Sequence, residues 1–172
     1  MLRAGEYVQH PGKPWDYNKV ICGVDVEFRV KGRVCKDDEE PDEMTLRIRG
    51  SKVDQLNVGQ VRNHYATDEE LCVVKAMWQM RKKLPHRFGK GSEALLPLFR
   101  WSTGEPITRT EIVSWLTKAA LSQGVPPERV ASHSLRIGGA TALYHTCGDL
   151  GLVQRMGRWK SGCFHIYLWE AS

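Results

Sequence analysis

The sequence predicts an α+β fold in which a small antiparallel sheet is followed by a helical bundle. The first half of the 172-residue chain carries short runs rich in β-branched residues, separated by polar turn sequences. From Asp68 onward, apolar residues recur at helical spacing in segments that end near Gly or Pro. Strands first and helices afterwards are typical of an α+β layout. The length suits one core, and we expect one domain over residues 1–172.

Three segments of the first half are predicted to be strands of the sheet. The acidic run 36–43, KDDEEPDE, contains Pro41 and is predicted to be a loop after the first strand. Residues 51–55, SKVDQ, are predicted to lie in or beside a turn before the third strand. The three predicted strands cover residues 19–34, 44–50 and 56–65.

The second half is predicted to be helical. Periodicity indicates a helix over 68–84, just before Pro85. Thr108 and Glu111 have the spacing of a capping box, and the helix that they begin is expected to end at Gly124. Three further helices are predicted over residues 133–145, 150–159 and 164–171. Three tryptophans in apolar stretches are expected in the core: Trp78, Trp101 and Trp115.

The charge distribution points to a polyanionic partner. The formal net charge is +5, and because the run 36–43 carries −5, the remaining residues carry +10. Such a basic body fits nucleic acid, although many basic domains bind none. No membrane-length apolar run and no signal-peptide core are found, so we expect an intracellular protein without a membrane partner. Five cysteines without a CxxC pair make a disulfide framework or zinc ribbon unexpected.

The segment 133–145, HSLRIGGATALYH, combines an imidazole, a guanidinium and two glycines. His133 and Arg136 are three residues apart and share a helical face, and Ser132 is the predicted N-cap. Free N–H groups at a helix N-terminus and a bidentate Arg suit a phosphate. The glycines at 138–139 are predicted to let another backbone approach closely. Alone, the pattern fits an exposed Arg beside a capping-region His equally well.

Other motifs accompany this segment in a characteristic order. The motifs supply, in chain order, Arg3 with Glu6 in MLRAGEY, Lys52 in the predicted turn, His133 with Arg136, Trp159 in GRWKS, and Tyr167. Together they resemble the catalytic domain of the tyrosine recombinase (phage-integrase-like) family, with wording most similar to recombinases of eukaryotic mobile elements. The resemblance extends from residue 2 to about residue 169.

The resemblance implies DNA strand cleavage and rejoining through a 3′-phosphotyrosine intermediate, in DNA integration or site-specific recombination. Tyr167 would be the nucleophile that attacks phosphorus. Arg3 and Arg136 would neutralise the charge that gathers on the non-bridging oxygens. Trp159 would add an indole N–H donor where many relatives use His.

The remaining residues of the set have supporting roles in this interpretation. His133 would assist proton removal from the phenol or bind the phosphate. Lys52 would protonate the departing 5′-oxygen, and Glu6 would orient Arg3 or neighbouring backbone. Since the bond energy stays in the phosphotyrosine, neither ATP nor a metal cofactor is expected. The expected partner is double-stranded DNA, with a tetramer forming on it if the protein is full-length. The expected location is the nucleus if the source is a eukaryotic mobile element.

The chain departs from the family pattern at both ends. It begins at the first catalytic Arg, where the family has a preceding core-binding domain, and ends five residues after Tyr167, where the family has a docking helix. We therefore expect a catalytic domain truncated at the N-terminus and short at the C-terminus. Two alternatives stay open: a type IB topoisomerase-like activity, and a catalytically inactive DNA-binding remnant. Tyr144 is a rival phenol, expected at a core position.

Overall fold

The chain is α+β, with a four-stranded antiparallel sheet in its first half and helices in its second, as the sequence predicts. The computed structural model describes residues 1–9, 12–50 and 58–168. For Tyr167 it describes the main chain and not the side chain. It divides into two compact units, described separately below. The sheet unit is Gly5–Val8 with Lys13–Pro106, and the helical unit is Met1–Ala4 with Gln9–Gly12 and Ile107–Ser172.

The sheet has the strand order β2-β1-β3-β4, with every neighbouring pair antiparallel. A 3-10 turn at Gly23–Asp25 occupies part of the first predicted strand, which begins at residue 26 instead of 19. The other two predicted strands are confirmed at shorter length, and the predicted turn at 51–55 lies outside the described residues. The strands are β1 (Val26–Val30), β2 (Arg33–Val34), β3 (Glu43–Ile48) and β4 (Gln60–Tyr65).

The core of the sheet unit lies between the inner face of the sheet and one helix. Alternation along β3 places Met44, Leu46 and Ile48 on the buried face. The short helix α1 (Ala4–Tyr7) precedes this unit's main segment, and α2 (Val73–Lys83) packs on the sheet. Phe28 of β1 meets Trp78 of α2 edge-on, with ring centroids 5.0 Å apart. Trp78 is thus in the core, as predicted, and α2 ends before Pro85, although it begins five residues later than expected.

The acidic run 36–43 is a loop up to the start of β3 at Glu43, and two of its carboxylates pair with arginines of the same unit. Arg33 Nη1 donates to Glu39 Oε2 at 2.7 Å, and Asp37 forms an ion pair with Arg81. The Arg33 guanidinium, followed by the backbone N–H of Lys36, lowers the pKa of Glu39 to about 2. The loop is therefore held on the sheet unit by its own charges.

Two buried arginines bind the chain that follows α2. Arg87 donates to the carbonyl oxygens of Leu98 (3.4 Å), Trp101 (2.8 Å) and Arg100. Arg100 donates to the carbonyl of Pro97 at 2.6 Å and forms an ion pair with a carboxylate in the 3-10 turn Ser92–Leu95. Two further 3-10 turns are at Pro85–Arg87 and Pro127–Arg129. Trp101 contributes its carbonyl while its side chain stays 42% exposed, so the prediction that it is a core residue is wrong.

The helical unit contains α3 (Arg109–Ser122), α4 (Ser134–Cys147), α5 (Leu150–Gly157) and a 3-10 helix, Gly162–Tyr167. The capping box is confirmed: Thr108 Oγ1 accepts from Glu111 N at 3.2 Å, and Thr108 N donates to Glu111 Oε2 at 2.8 Å. None of the residues of α3 is buried. Trp115 on this helix is 42% exposed, which contradicts its predicted core position.

The helical unit closes around a small apolar cluster of Ala140, Val153 and Phe164. Two segments near the start of the chain, Met1–Ala4 and Gln9–Gly12, belong to this unit. In the second of them, Gln9 N donates to Ile107 O at 3.0 Å, and Arg109 N donates to Gln9 O at 2.9 Å. Half-buried side chains packed on the cluster are Met1, Leu143, Tyr144, Leu150, Trp159 and Leu168. Among the described residues, no helix has the length and apolar character needed to cross a membrane.

Candidate functional site

Helix α4 begins one residue later than the sequence predicts. His133, at φ −82° and ψ −18°, is the N-cap residue, and its side chain makes no capping hydrogen bond. Ser132 is buried and precedes the N-cap residue, and Ser134 Oγ accepts from Ala131 N at 2.9 Å. The prediction of Ser132 as N-cap is therefore wrong, while Arg136 still lies in the first turn of the helix.

Among the predicted site residues of the helical unit whose side chains are described, Arg136 is the most buried, with 4% of its surface exposed. Its guanidinium carbon lies 4.3 Å from the centroid of the Trp159 ring, a cation–π contact. The same guanidinium donates to the carbonyl oxygens of Gly157 and Met1, the latter at 3.4 Å. These contacts hold the plane of the guanidinium in one orientation before any ligand arrives.

Trp159 reaches Arg136 because the chain turns back at the end of α5. Arg158 adopts φ 58° and ψ 41°, a left-handed conformation that costs a non-glycine residue roughly 1–2 kcal/mol. This turn lets Trp159 N donate to Gln154 O at 3.1 Å and folds the indole over Gly157. A Cβ at Gly157 would lie 1.5 Å from a carbon of the Trp159 ring, so only glycine fits there.

Arg3 and Arg158 complete a group that we call the arginine cluster: Arg3, Arg136 and Arg158, with Trp159. Arg3 Nη2 donates to the carbonyl of Arg158 at 3.1 Å. Arg158 is itself buried, at 8% exposure, and its Nη2 donates to the carbonyl of Met1 at 3.1 Å. The cluster therefore joins the first residues of the chain, the start of α4 and the end of α5.

His133 lies at the edge of this group with an exposed side chain. Its pKa is lowered from the usual 6.5, first by partial desolvation and then by the positive charges of Arg136 and Arg109. A lowered pKa favours the neutral imidazole near pH 7. The neutral ring is the form that accepts a proton.

Tyr167 is the last residue of the 3-10 helix Gly162–Tyr167, and its side chain lies outside the described part of the structure. The residues before and after Tyr167 are anchored in the apolar cluster: Phe164 is buried in the cluster, and Leu168 packs against the cluster. The 3-10 helix also contacts α4, which carries Arg136. The rival phenol Tyr144 packs half-buried against the same cluster, as predicted.

The described structure does not establish the roles of two further predicted residues, Lys52 and Glu6. Lys52 lies outside the described residues. Glu6 is buried in the sheet unit, where its carbonyl accepts from Ile21 N at 2.9 Å, whereas Arg3 belongs to the helical unit. The roles of Lys52 and Glu6 therefore stay predictions.

Only one of the two glycines in α4 sits against another segment. A Cβ at Gly139 would lie 3.3 Å from Cγ of Met1, so the start of the chain packs there through a side chain. At Gly138 no atom of the described residues, apart from the helix's own nearby backbone and the two chain neighbours, lies within 4 Å of such a Cβ. The predicted close approach of a second backbone at 138–139 is thus wrong.

Gly157 and Arg158 are the site residues that the sequence interpretation missed. Both stand in the GRWKS motif, which drew attention only to Trp159. A glycine two residues before a tryptophan at a helix end is the signal that could have indicated the folded-back indole. The left-handed Arg158 had no such signal, since non-glycine residues seldom take positive φ.

Metal-ligand side chains are not gathered in the part of the chain that the structure describes. Within residues 1–9, 12–50 and 58–168, no group of three or more His, Cys, Asp or Glu side chains is placed to hold a metal ion. All five cysteines are free thiols, and Cys147 and Cys163 of the helical unit are exposed.

Comparison of the chain with models of protein families, with curated proteins and with solved structures found no match. The arginine cluster is therefore the observation from which function is inferred.

Proposed function

We propose that the chain is a tyrosine recombinase-type catalytic domain that cuts and rejoins double-stranded DNA through Tyr167. The observation that carries the proposal is the arginine cluster. Arg3 and Arg136 are 133 residues apart in sequence, yet both are tied to the end of α5 beside Trp159. Self-association on DNA for the full-length protein, and a nuclear location if its source is a eukaryotic mobile element, belong to the same proposal.

The cluster suits the charge that develops during phosphoryl transfer. A phosphodiester under attack gathers negative charge on its non-bridging oxygens, and donors aimed there in advance lower the barrier. Arg136 is held by Trp159 and by main-chain carbonyls, so its orientation does not have to be established during the reaction. Removing one such donor in other enzymes costs about 10²–10³ in rate.

The covalent step assigned to Tyr167 balances without a cofactor. The phenolate oxygen attacks phosphorus, the P–O5′ bond breaks, and the DNA 3′ end stays on the tyrosine as a phosphodiester. His133 in its neutral form takes the phenol proton, and Lys52 supplies the proton that the departing 5′-oxygen gains. Attack by a 5′-hydroxyl on the phosphotyrosine reverses these transfers and reseals the strand.

The distribution of charge supports DNA as the partner. The helical unit contains eight Lys and Arg against four Asp and Glu, a formal charge of +4. The sheet unit contains seventeen against sixteen, a charge of +1. Most of the positive excess is therefore on the unit that carries the arginine cluster, as expected for binding to phosphates.

The test is capture of a covalent protein–DNA adduct. The full chain is incubated with labelled supercoiled plasmid, the reaction is stopped with detergent, and trapped DNA is measured on a denaturing gel. Wild type should form the adduct, and Tyr167→Phe should abolish it while keeping salt-sensitive DNA binding. Tyr144→Phe is the matched control, because it removes a phenol from the same unit and should leave the adduct unchanged.

Each alternative gives a different result in this assay. An adduct that persists in Tyr167→Phe and disappears in Tyr144→Phe would move the nucleophile. DNA binding by wild type with no adduct would identify a binding remnant. Relaxation of the plasmid without strand exchange between two plasmids would support a topoisomerase-like activity.

A further inference from the structure

Arg158 has contacts that the proposed chemistry has not yet used. Its side chain is buried at 8% exposure, and its backbone takes a left-handed conformation at φ 58°. It stands between Gly157, which makes room for the indole, and Trp159, which stacks on Arg136. A buried arginine at such a turn requires an explanation beyond the turn itself, which glycine would form with less strain.

The guanidinium of Arg158 converges with that of Arg136 on one oxygen atom. Arg158 Nη2 lies 3.1 Å from the carbonyl oxygen of Met1, and Arg136 Nη1 lies 3.4 Å from the same oxygen. Two cationic donors from different segments thus point at a single acceptor. The carbonyl oxygen of Met1 marks a position where an acceptor bridges both side chains.

The geometry points to Arg158 as a further phosphate-binding residue, which with Arg136 binds one non-bridging oxygen of a phosphodiester where the Met1 carbonyl now lies. This inference rests on the proposed function and deepens it, because it assigns Arg158 to the oxygen that Arg136 was expected to bind with Arg3. Arg3 binds the main-chain carbonyl of Arg158 and so fixes the turn that presents the Arg158 side chain.

Exchange of the carbonyl for a phosphate oxygen is favoured by charge. A hydrogen bond between a guanidinium and an anionic oxygen is roughly twice as strong as one between neutral groups. Two positive side chains held close together also repel each other, and an anion between them removes that repulsion. A neutral carbonyl satisfies the donors without neutralising either charge.

The left-handed backbone of Arg158 allows a clean substitution. Arg158→Gly removes the guanidinium and keeps the turn, since glycine adopts φ near +60° without strain. Arg158→Asn is a second variant, because asparagine is the non-glycine residue that best tolerates this conformation. Arg155→Gln is the matched control: Arg155 lies in α5, three residues before Arg158, its side chain is 68% exposed, and its ion pair with Asp149 is 3.8 Å long.

Two measurements separate this inference from the proposed function. The first is the rate of covalent adduct formation on plasmid DNA, which should fall about 100-fold or more in Arg158→Gly and Arg158→Asn. The second is the rise in melting temperature that inorganic phosphate gives over chloride at equal ionic strength. That rise should disappear in both Arg158 variants and persist in Arg155→Gln.

Retention of the wild-type adduct rate by folded Arg158→Gly or Arg158→Asn would overturn the role of Arg158 while leaving the proposed function intact. If wild type forms no adduct, the proposed function fails, and the phosphate measurement alone then tests whether Arg158 binds phosphate. A phosphate-dependent rise that both Arg158 variants lose would then still support the binding site. A rise unchanged in those variants, or absent from wild type, would overturn it.

Discussion

The sheet unit and the helical unit differ in what they bury. Of the twenty buried hydrophobic residues in the described part of the chain, seventeen lie in the sheet unit and three in the helical unit. Each unit nevertheless buries two arginines: Arg87 and Arg100 in the sheet unit, Arg136 and Arg158 in the helical unit. Stability in the sheet unit thus comes from apolar burial, whereas the helical unit is organised largely around its cations.

The buried arginines also serve different purposes in the two units. Arg87 and Arg100 bind carbonyls of residues close to them in sequence, and burial together with the charge of Arg100 lowers the pKa of Arg87. Arg136 and Arg158 instead join segments more than a hundred residues apart in sequence. A unit with little apolar burial opens locally at a lower free energy, which is typical of regions that must admit a ligand.

The largest effect should come from truncating the core of the sheet unit. Phe28→Ala removes a fully buried ring that contacts Trp78 and Phe88, and should cost about 3–5 kcal/mol. Amide hydrogen exchange should show the loss in β1 and β3. Phe164→Ala, made for comparison, should lower protection in α4 and α5 instead. Equal losses across both units for either variant would contradict the division between them.

A smaller effect, with opposite signs at two glycines, should appear within the helical unit. Gly157→Ala places a methyl group inside the Trp159 ring and should destabilise by about 1–3 kcal/mol. Gly138→Ala meets no atom and should stabilise α4 by about 0.5–1 kcal/mol. Chemical denaturation measures both changes.

A double-mutant cycle checks the cause of the Gly157 effect. In a Trp159→Leu background the ring is gone, so Gly157→Ala should cost little. If the cost of Gly157→Ala were the same with and without Trp159, the close contact would not be its source.

The smallest effect is a change in titration at the edge of the arginine cluster. NMR should find the pKa of His133 below 6.5, and Arg109→Gln should raise it by removing one nearby positive charge. Arg129→Gln is the control, since Arg129 is not among the charges that act on His133.

The direction of the pH dependence follows from the lowered pKa. The folded state binds the His133 proton less readily than the unfolded chain does, so its contribution to stability is present above about pH 6.5. That contribution is lost as the pH falls through the folded-state value. A His133 pKa above 6.5 would contradict the described environment.

The sequence predicted the class and order of the elements well, and their boundaries less well. The first strand begins late because Asp25 turns the chain: its carboxylate accepts from Cys22 N at 2.8 Å and pairs with Arg49 at 2.7 Å. A pairing across 24 residues has no local signal. Trp101 and Trp115 lie in apolar stretches of the sequence but are exposed. Their exposure could not be predicted, because neighbouring hydrophobic residues do not reveal whether another segment covers a side chain.

The candidate site was predicted in part. The spacing of His133 and Arg136 was sufficient to place Arg136 in the first turn of α4, and the order of the motifs indicated Arg3 and Trp159 as its partners. Arg158 could not be predicted, because its role depends on a positive φ that only the three-dimensional turn reveals. The role of the Met1 carbonyl could not be predicted either, since every residue has a main-chain carbonyl and the sequence does not show which of them accepts from a given side chain.

The helical unit is discontinuous in sequence, and this has a consequence for synthesis on the ribosome. The sheet unit consists of Gly5–Val8 and Lys13–Pro106, so its residues have all been translated before the second half of the helical unit begins to emerge. The contacts of Met1 and Arg3 with Arg158 can form only when Arg158 has left the exit tunnel. During the intervening seconds the sheet unit can fold, while the complete arginine cluster with Trp159 cannot form in any nascent chain that ends before residue 159.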